Sequence, residues 1–268
     1  DLLFILVFHM GAAGAAYATV IAQGVSGVLC LIYIIKKVPE LKLERDDFRL
    51  ESHIAKMQVG IGIPMALQYS ITAIGAMMVQ TSLNMLGSGA VAAFTAANKI
   101  EQIATQAYVA LGTTMATYCA QNMGAGAIKR IRQGFCAATI GGGIYSVVMG
   151  FALVFFGKYL TYLFVSGDVS GIMDQVQIYL TCVVIFLIPL NIVNAYRNGI
   201  QGMGYGLLPM LAGVAELAGR GITAMIAAAH KSYFGTCMAS PMAWVLAGGL
   251  LIIMYFYVMK DMKRRLGL

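Results

Sequence analysis

The stretch LLPMLAGVAELAGRGITAMIAAA, residues 207–229, decides how the rest of the chain is interpreted. It is long enough to cross a bilayer as a helix, for which about 20 apolar residues suffice. Glu216 and Arg220 lie near its middle, four residues apart, which places both side chains on one face of that helix. Ionisable side chains at membrane depth are costly unless they pair or face a polar cavity, so this pair marks a candidate functional site.

The composition of the whole chain is that of a membrane protein with several spans. Hydrophobic residues make up 60% of it and charged residues 11%, against about 45–50% and about 25% in a soluble domain. Five stretches without a charged residue each exceed the length of a spanning helix: 11–35, 57–98, 133–157, 175–196 and 232–259. The predicted fold class is therefore all-α, a polytopic helical bundle, because a membrane β-barrel would show short alternating segments instead.

The net charge of +7 does not predict nucleic-acid binding, because the basic residues cluster in short connections between the predicted spans. Of the 18 Lys and Arg, 14 fall on one side of those spans and 2 on the other. By the positive-inside rule this asymmetry places the connector 37–56 and the C-terminus in the cytoplasm.

Patterns typical of enzymes and metal sites are missing from the sequence. It contains no HExxH, GxSxG or P-loop pattern, and its five cysteines are scattered without a CxxC pair. We therefore expect no catalytic residues, no bound cofactor and no metal ion.

The chain is predicted to hold parts of two related lobes. Its predicted segments are the end of a first lobe, a hydrophilic connector, a lobe of six spans and a basic tail, at 1–36, 37–56, 57–260 and 261–268. Shifted by 221 positions, the first segment falls on 222–257 with eight identities. An even number of helices in each repeat makes the lobes parallel repeats. We expect a preceding N-terminal lobe of the same chain to complete the protein.

Two interpretations of Glu216 and Arg220 stay open at the level of sequence. The pair could line a central cavity, with Glu216 as a proton or cation site and Arg220 favouring its charged form. It could equally be a structural ion pair between helices, because a firmly salt-bridged carboxylate is a poor proton carrier.

Asn191 and Asn194 lie three residues apart on one face of the span that contains Pro189. Their amides would suit the lining of a substrate or ion cavity, and they could also join one helix to another. The same face continues to Asn198 and Gln201, which are predicted to lie in a cytoplasmic turn that begins at Arg197.

Two further spans carry polar candidates for the cavity lining. Lys99 and Gln102 share a face, whereas Glu101 points about 200° away from Lys99. The amine of Lys99 could instead extend to the membrane surface. Gln68 and Thr72 share a face of the span that contains Pro64.

Four stretches resemble signatures of the multidrug and toxic compound extrusion (MATE) transporters. They are GIPMALQYSI at 62–71, AANKIEQIATQAYVALGTTMATYCAQNMGAGAIKRIRQGF at 96–135, RNGIQGMGYG at 197–206 and ELAGRGITA at 216–224. Residues 1–36 resemble the end of the family's N-terminal lobe and 53–260 its complete C-terminal lobe. The resemblance is greatest to the bacterial branch near the DNA-damage-inducible relatives.

The resemblance implies a two-lobed antiporter of the bacterial plasma membrane. Such a protein exports drugs or amphipathic cations in exchange for H⁺ or Na⁺ by alternating access. The implied partners are small-molecule substrates, the lipid bilayer and the N-terminal lobe, with no nucleic acid.

Some relatives carry cation-site acids at positions that correspond to Thr72 and Asn191, neither of which can ionise. Glu216 is then expected to be the only carboxylate near the middle of the lobe. The alternative is a flippase or exporter of lipid-linked saccharides from the same superfamily, which would need a strongly basic cavity. Only Lys99 and Arg220 are cations within the predicted spans, which disfavours it.

Overall fold

The computed structural model describes residues 3–38, 49, 51–160, 162 and 171–265. This part of the chain is helical and contains no strand, which confirms the all-α prediction. A short π-helical segment, Leu3–Val7, precedes the α-helices. Their bounds are α1 Gly11–Lys37, α2 Ser52–Asn84, α3 Ser88–Gly124, α4 Ile128–Leu160, α5 Met173–Ile185, α6 Leu187–Gly202, α7 Leu207–Ala229 and α8 Tyr233–Arg265.

Contacts divide the chain into two compact units, Asp1–Ala55 and Lys56–Leu268. In the first unit, α1 packs against the short segment before it, where Gly14 allows Phe4 to approach. Nearly all side chains of α1 are exposed. A helix this apolar requires lipid or another protein surface around it.

In its described residues, the second unit is a bundle of α2 from Lys56 onwards and of α3 to α8. Its helix α2 begins within the predicted connector 37–56, of which residues 39–48 and 50 lie outside the described part. The predicted tail 261–268 is helical as far as Arg265, because α8 continues past the expected end of the span.

Within the described part of the chain, five helices are long and apolar enough to cross a membrane, namely α1, α2, α4, α7 and α8. The pair α5 and α6 is a sixth candidate if it forms one bent span. Helix α3 falls outside this set, because polar side chains such as Lys99, Glu101 and Gln102 interrupt its apolar sequence. It nevertheless packs along α4, α5 and α6 over its 37 residues.

A bend of 53° separates α5 from α6 at Phe186. Pro189 lies in the first turn of α6 and has no N–H to donate to the carbonyl of Ile185. The chain therefore changes direction in the middle of the uncharged stretch 175–196. Pro64 has a different outcome, since α2 continues through it as a single helix.

Small residues allow the helices around the charged residues to approach closely. Ala239, Ala243 and Ala247 are fully buried along the face of α8 that meets α7. A Cβ at Gly219 of α7 would lie 3.2 Å from the Cα of Ala243. Close backbone contact of this kind gives helices dispersion energy in lipid, where the hydrophobic effect does not drive them together.

Asn191 was predicted to line a cavity, but its side chain is fully buried between α6 and α4. Its Nδ2 donates to the carbonyl of Ala138 at 3.4 Å, and its Oδ1 has no hydrogen-bond partner. Gly142 of α4 makes room for the amide, since a Cβ there would overlap it. Asn191 therefore packs one helix against another, which was the other role open to it.

We expect Gly142→Ala to destabilise the protein, because the new methyl group would overlap the Asn191 amide. Overpacking of this kind costs about 1–3 kcal/mol in free energy of unfolding. Thermal unfolding of the full-length protein in detergent would measure the loss. Gly143→Ala is the matched control, since nothing lies within 4 Å of a Cβ at Gly143.

In an Asn191→Ala background, Gly142→Ala should reduce the free energy of unfolding by a smaller amount, because the amide that the new methyl group would overlap is absent. An equal loss at positions 142 and 143, or an equal loss with and without Asn191, would contradict this account of the contact between α4 and α6.

Candidate functional site

Glu216 of α7 is buried and accepts hydrogen bonds from two arginines. Its Oε1 lies 2.8 Å from Nη2 of Arg220, one turn along the same helix. Its Oε2 lies 2.5 Å from Nη2 of Arg197 on α6. The side chain of Glu216 is 5% exposed, and those of Arg197 and Arg220 are 14% and 9% exposed. The pair of Glu216 and Arg220 was expected from their spacing in the sequence, whereas Arg197 was not expected as a third member.

Arg197 was predicted to lie in a cytoplasmic turn, and this prediction is wrong. Helix α6 continues to Gly202, so Arg197 projects from a helix towards α7. Two of the glycines that suggested a turn are sites of close packing, whereas Gly204 lies in the turn that follows α6. Gly199 lies against Phe135, and Gly202 lies against the backbone of Ala116. Glycine is common in such helix contacts within membranes.

Helix α2 completes the surroundings of Arg220. A Cβ at Gly75 would lie 3.2 Å from both Cδ and Nη1 of Arg220, so this glycine leaves space for the guanidinium. Nη1 donates to the backbone carbonyl of Thr72 at 3.4 Å. Thr72 therefore meets the arginine through its backbone, while its hydroxyl donates to the carbonyl of Gln68.

Gln68 and Gln201 form a second polar contact between α2 and α6. Gln201 Nε2 donates to Gln68 Oε1 at 2.8 Å, and Gln68 is 4% exposed. A Cβ at Gly213 of α7 would lie 3.1 Å from Cγ of Gln68. Gln68, a predicted cavity residue, thus lies in a contact of three helices. Gln201 lies within α6 and not in the predicted turn.

A second acid, Glu101 of α3, is buried at 8% exposure. The hydroxyl of Tyr179 on α5 donates to its Oε2, and Asn98 Nδ2 donates to the same oxygen at 3.5 Å. Asn98 also donates to the Tyr179 oxygen at 3.1 Å. Within the described part of the chain, no lysine or arginine forms a salt bridge with Glu101.

Glu216 is therefore not the only carboxylate in the interior of the lobe, contrary to expectation. The sequence held a signal for Glu101, because the residue lies on the opposite face of α3 from the exposed Lys99. Asn98, Glu101 and Thr105 form a polar stripe with helical spacing on that face. Tyr179 is 78 residues away in sequence, and nothing local to it indicated the contact.

Glu101 and Arg220 line the same cavity, which has a volume of about 410 Å³. Helices α2, α3, α7 and α8 form its walls. Its other polar lining residues are Gln80, Thr95, Asn98 and Ser240. The charge of Arg220 acts on Glu101 across this space. With both acids ionised, the charges of Arg197, Arg220, Glu101 and Glu216 sum to zero.

The remaining predicted cavity residues lie nearer the surface of the second unit. Lys99 and Gln102 are exposed, and Gln102 Nε2 donates to Asn98 Oδ1 at 2.8 Å. Asn194 is half-buried and donates to the carbonyl of Leu190 within its own helix. Their role in a substrate or ion cavity stays a prediction. Within the described residues, no group of three or more His, Cys, Asp or Glu side chains could hold a metal ion.

The fold and these contacts define a class of protein: a helical membrane protein with several spans, whose bundle buries Glu101, Glu216 and Arg220 and holds a partly buried Arg197 against Glu216. The MatE family model matches residues 61–220, which is more than half of the chain. The chain belongs to this family, as the four sequence stretches indicated.

Similar proteins carry names that agree with this assignment. The chain is 33% identical over 211 residues to the probable multidrug resistance protein YpnP of Bacillus subtilis, covering 78% of this chain and 46% of that protein. It is 27% identical over 222 residues to a protein of Shewanella oneidensis named as an FAD transporter, covering 78% and 47%. The chain thus spans about half the length of these relatives. One is named as a multidrug resistance protein and the other as a transporter, in agreement with the expectation that the protein is not an enzyme.

Solved structures share the fold. A transporter of the MOP superfamily from Pyrococcus furiosus superimposes with a TM-score of 0.88 at 18% identity, covering 98% of this chain and 60% of that one. The bent form of the Vibrio cholerae MATE transporter VcmN gives 0.84 at 21% identity, with 98% and 59% covered.

We expect Glu216→Gln to destabilise the full-length protein strongly, because it would leave the buried guanidinium of Arg220 and the partly buried one of Arg197 without a carboxylate. Removing one partner of a buried ion pair costs about 3–5 kcal/mol. Arg197→Gln should cost less, since Glu216 would keep Arg220 as its partner. The melting temperatures of the two variants in detergent would measure this order.

Equal melting temperatures for Glu216→Gln and the unaltered protein would show that the three residues do not hold α6 and α7 together. A larger loss for Arg197→Gln than for Glu216→Gln would contradict the central position of the acid.

Proposed function

We propose that this chain works with an N-terminal lobe as a cation-coupled exporter of drugs or other amphipathic compounds. The bacterial plasma membrane is its proposed location, and alternating access its proposed mechanism. Support comes from membership of the MatE family and from relatives named as multidrug resistance proteins. The observation that carries the proposal is a buried acid that faces a polar cavity within an apolar bundle.

Ionisable side chains inside a membrane bundle are expensive and are typical of ion and proton pathways. Glu101 fits such a pathway because it combines burial with access to a cavity. Its hydrogen-bond donors, Tyr179 and Asn98, are both neutral, so no ion pair holds its charge in place. Glu216 differs, because a guanidinium group contacts each of its two oxygens. We therefore assign ion coupling to Glu101 and a structural role to Glu216.

The same contacts favour H⁺ over Na⁺ as the coupling ion. A sodium ion needs several oxygen ligands, whereas Tyr179 and Asn98 direct hydrogens at the Glu101 carboxylate. A tyrosine hydroxyl can both donate and accept a hydrogen bond. It can thus contact Glu101 as a carboxylate by donating and as a carboxylic acid by accepting.

Exchange follows from the charge balance of the cavity. With Glu101 ionised, the two acids offset Arg197 and Arg220. Protonation of Glu101 raises the net charge of these four side chains to +1. This charge repels a cationic substrate from the cavity, and the low dielectric strengthens the repulsion. Proton and cationic substrate therefore exclude one another, as antiport requires.

The alternative of a saccharide-lipid flippase gains no support. Arg197 and Arg220 share Glu216, so the cavity beside them is not strongly basic. The similar proteins are named as probable multidrug resistance proteins or as an FAD transporter, and not as flippases.

We expect everted vesicles that contain the full-length protein to release protons when a cationic dye is added, and Glu101→Gln to reduce this release to background. A glutamine keeps the shape of the side chain but cannot carry the proton. Fluorescence of a pH-sensitive dye would measure the release. Asp174→Asn is the matched control, since it makes the same chemical change at an exposed position in the first turn of α5.

Dye-triggered proton release that survives in Glu101→Gln would overturn the assignment of Glu101. Release of Na⁺ in place of H⁺ would overturn the coupling ion. No ion movement with any cationic dye would overturn coupled export itself.

A further inference from the structure

A groove on the outside of the bundle, away from the cavity of Glu101, has the chemistry of a lipid site. It lies among α4, α6 and α8 and has a volume of about 710 Å³. Lys129 and Arg132 lie at its rim in the first turns of α4. Neither forms an ion pair within the described residues, so their charges are available to a ligand.

The floor of the groove is a cluster of three aromatic rings. Phe135 lies 4.9 Å from Tyr196 and 4.8 Å from Tyr255, measured between ring centroids, and the two tyrosines lie 5.3 Å apart. The Tyr196 hydroxyl is 3.3 Å from the Thr139 hydroxyl, and Arg132 lies beside the Tyr255 hydroxyl. The polar ends of the rings thus have partners, and the ring faces form a fixed surface.

Polarity changes along the groove from charged to apolar. Lys129, Arg132, Cys136 and Ile140 follow one another along one face of α4. A rise of 1.5 Å per residue puts Ile140 about 16 Å deeper in the bundle than Lys129. Exposed Phe256 of α8 lines the opposite wall. Cations at one end and apolar walls below match a molecule with an anionic head and a hydrocarbon chain.

The position of the groove in the bundle further restricts the kind of ligand that could bind there. Both α4 and α8 are long and apolar enough to span a membrane, which agrees with a groove that opens towards the bilayer. The end of the bundle that carries Lys129 and Arg132 also carries the exposed Lys260, Lys263 and Arg264 of α8. Basic pockets between spanning helices bind the headgroups of acidic lipids.

We infer that the groove is a binding site for an anionic phospholipid. Its phosphate contacts Lys129 and Arg132, and one acyl chain lies along Ile140 and Phe256 over the aromatic floor. The inference does not depend on the proposed transport function, because it concerns another face of the bundle.

Cys136 provides a probe of occupancy, since its exposed thiol lines the groove. The full-length protein in neutral detergent would be labelled with a maleimide, with and without phosphatidylglycerol, and the labelled peptides quantified by mass spectrometry. Phosphatidylglycerol should slow labelling at Cys136 several-fold. The exposed Cys30 of α1 is the internal reference and should be unaffected. Phosphatidylcholine should have little effect at either position.

The double variant Lys129→Gln and Arg132→Gln should lose roughly thirtyfold in affinity for phosphatidylglycerol, on the usual contribution of each cation near a lipid surface. Both side chains are exposed, so the variant should fold normally. The matched control is Lys260→Gln with Lys263→Gln, which removes the same charge at the same end but outside the groove. The double variant Lys129→Arg with Arg132→Lys keeps both charges, so phosphatidylglycerol should still protect Cys136 from labelling.

Equal protection by the two lipids would overturn the anionic specificity, and equal loss in both double variants would overturn the location. Protection by glycerol phosphate alone would assign the groove to a small anion and overturn the lipid. Protection that depends on protein concentration and not on lipid would show that a second copy of the chain covers the groove, and would overturn the inference as well.

Discussion

The second unit depends on one constraint: a guanidinium group inside an apolar bundle must find a carboxylate. Arg220 has its partner one turn away in Glu216, and Arg197 reaches the same acid from α6. Because unpaired charges at this depth are costly, the position of α6 against α7 is fixed by these contacts. Gly75 and the carbonyl of Thr72 then determine where α2 can lie. Three helices are thus arranged around one acid.

Polar contacts recur between helices elsewhere in the unit. Tyr108 and Ser146 join α3 to α4 at 2.7 Å between their hydroxyls, and Ser82 and Thr236 join α2 to α8 at 3.0 Å. Lipid offers no competing hydrogen bonds, and it also provides little hydrophobic driving force between helices. Close packing at small residues and hydrogen bonds between paired polar groups therefore contribute to the helix association that the hydrophobic effect drives in a soluble protein.

The fold class and the existence of a charged site followed from the sequence because both leave local signals. Apolar length identifies a spanning helix, and a separation of four residues puts Glu216 beside Arg220. Tertiary partners leave no such signal, which is why Tyr179 and the bond to Arg197 were missed. Periodicity found the face of Asn191 but not what that face meets, because a stripe of amides suits a cavity and a helix contact equally. The glycines near Arg197 were misjudged because the same residue ends helices in water and packs them in membranes.

The charge balance links the two acids in the proposed mechanism. Arg197, Glu216 and Arg220 together carry +1, and an ionised Glu101 offsets that charge across the cavity. Once Glu101 binds a proton, the bundle holds a net positive charge, which is costly in a dry interior. In the proposed mechanism, water in an open cavity would lower that cost, so the protonated lobe would favour a hydrated, open state and the ionised lobe a closed one. A ligand can shift a conformational equilibrium only through a difference in affinity between the two states. In the proposed mechanism the proton is that ligand. Its affinity for Glu101 differs between the two states because Glu216 neutralises only one of the two arginines, and Glu101 balances the other.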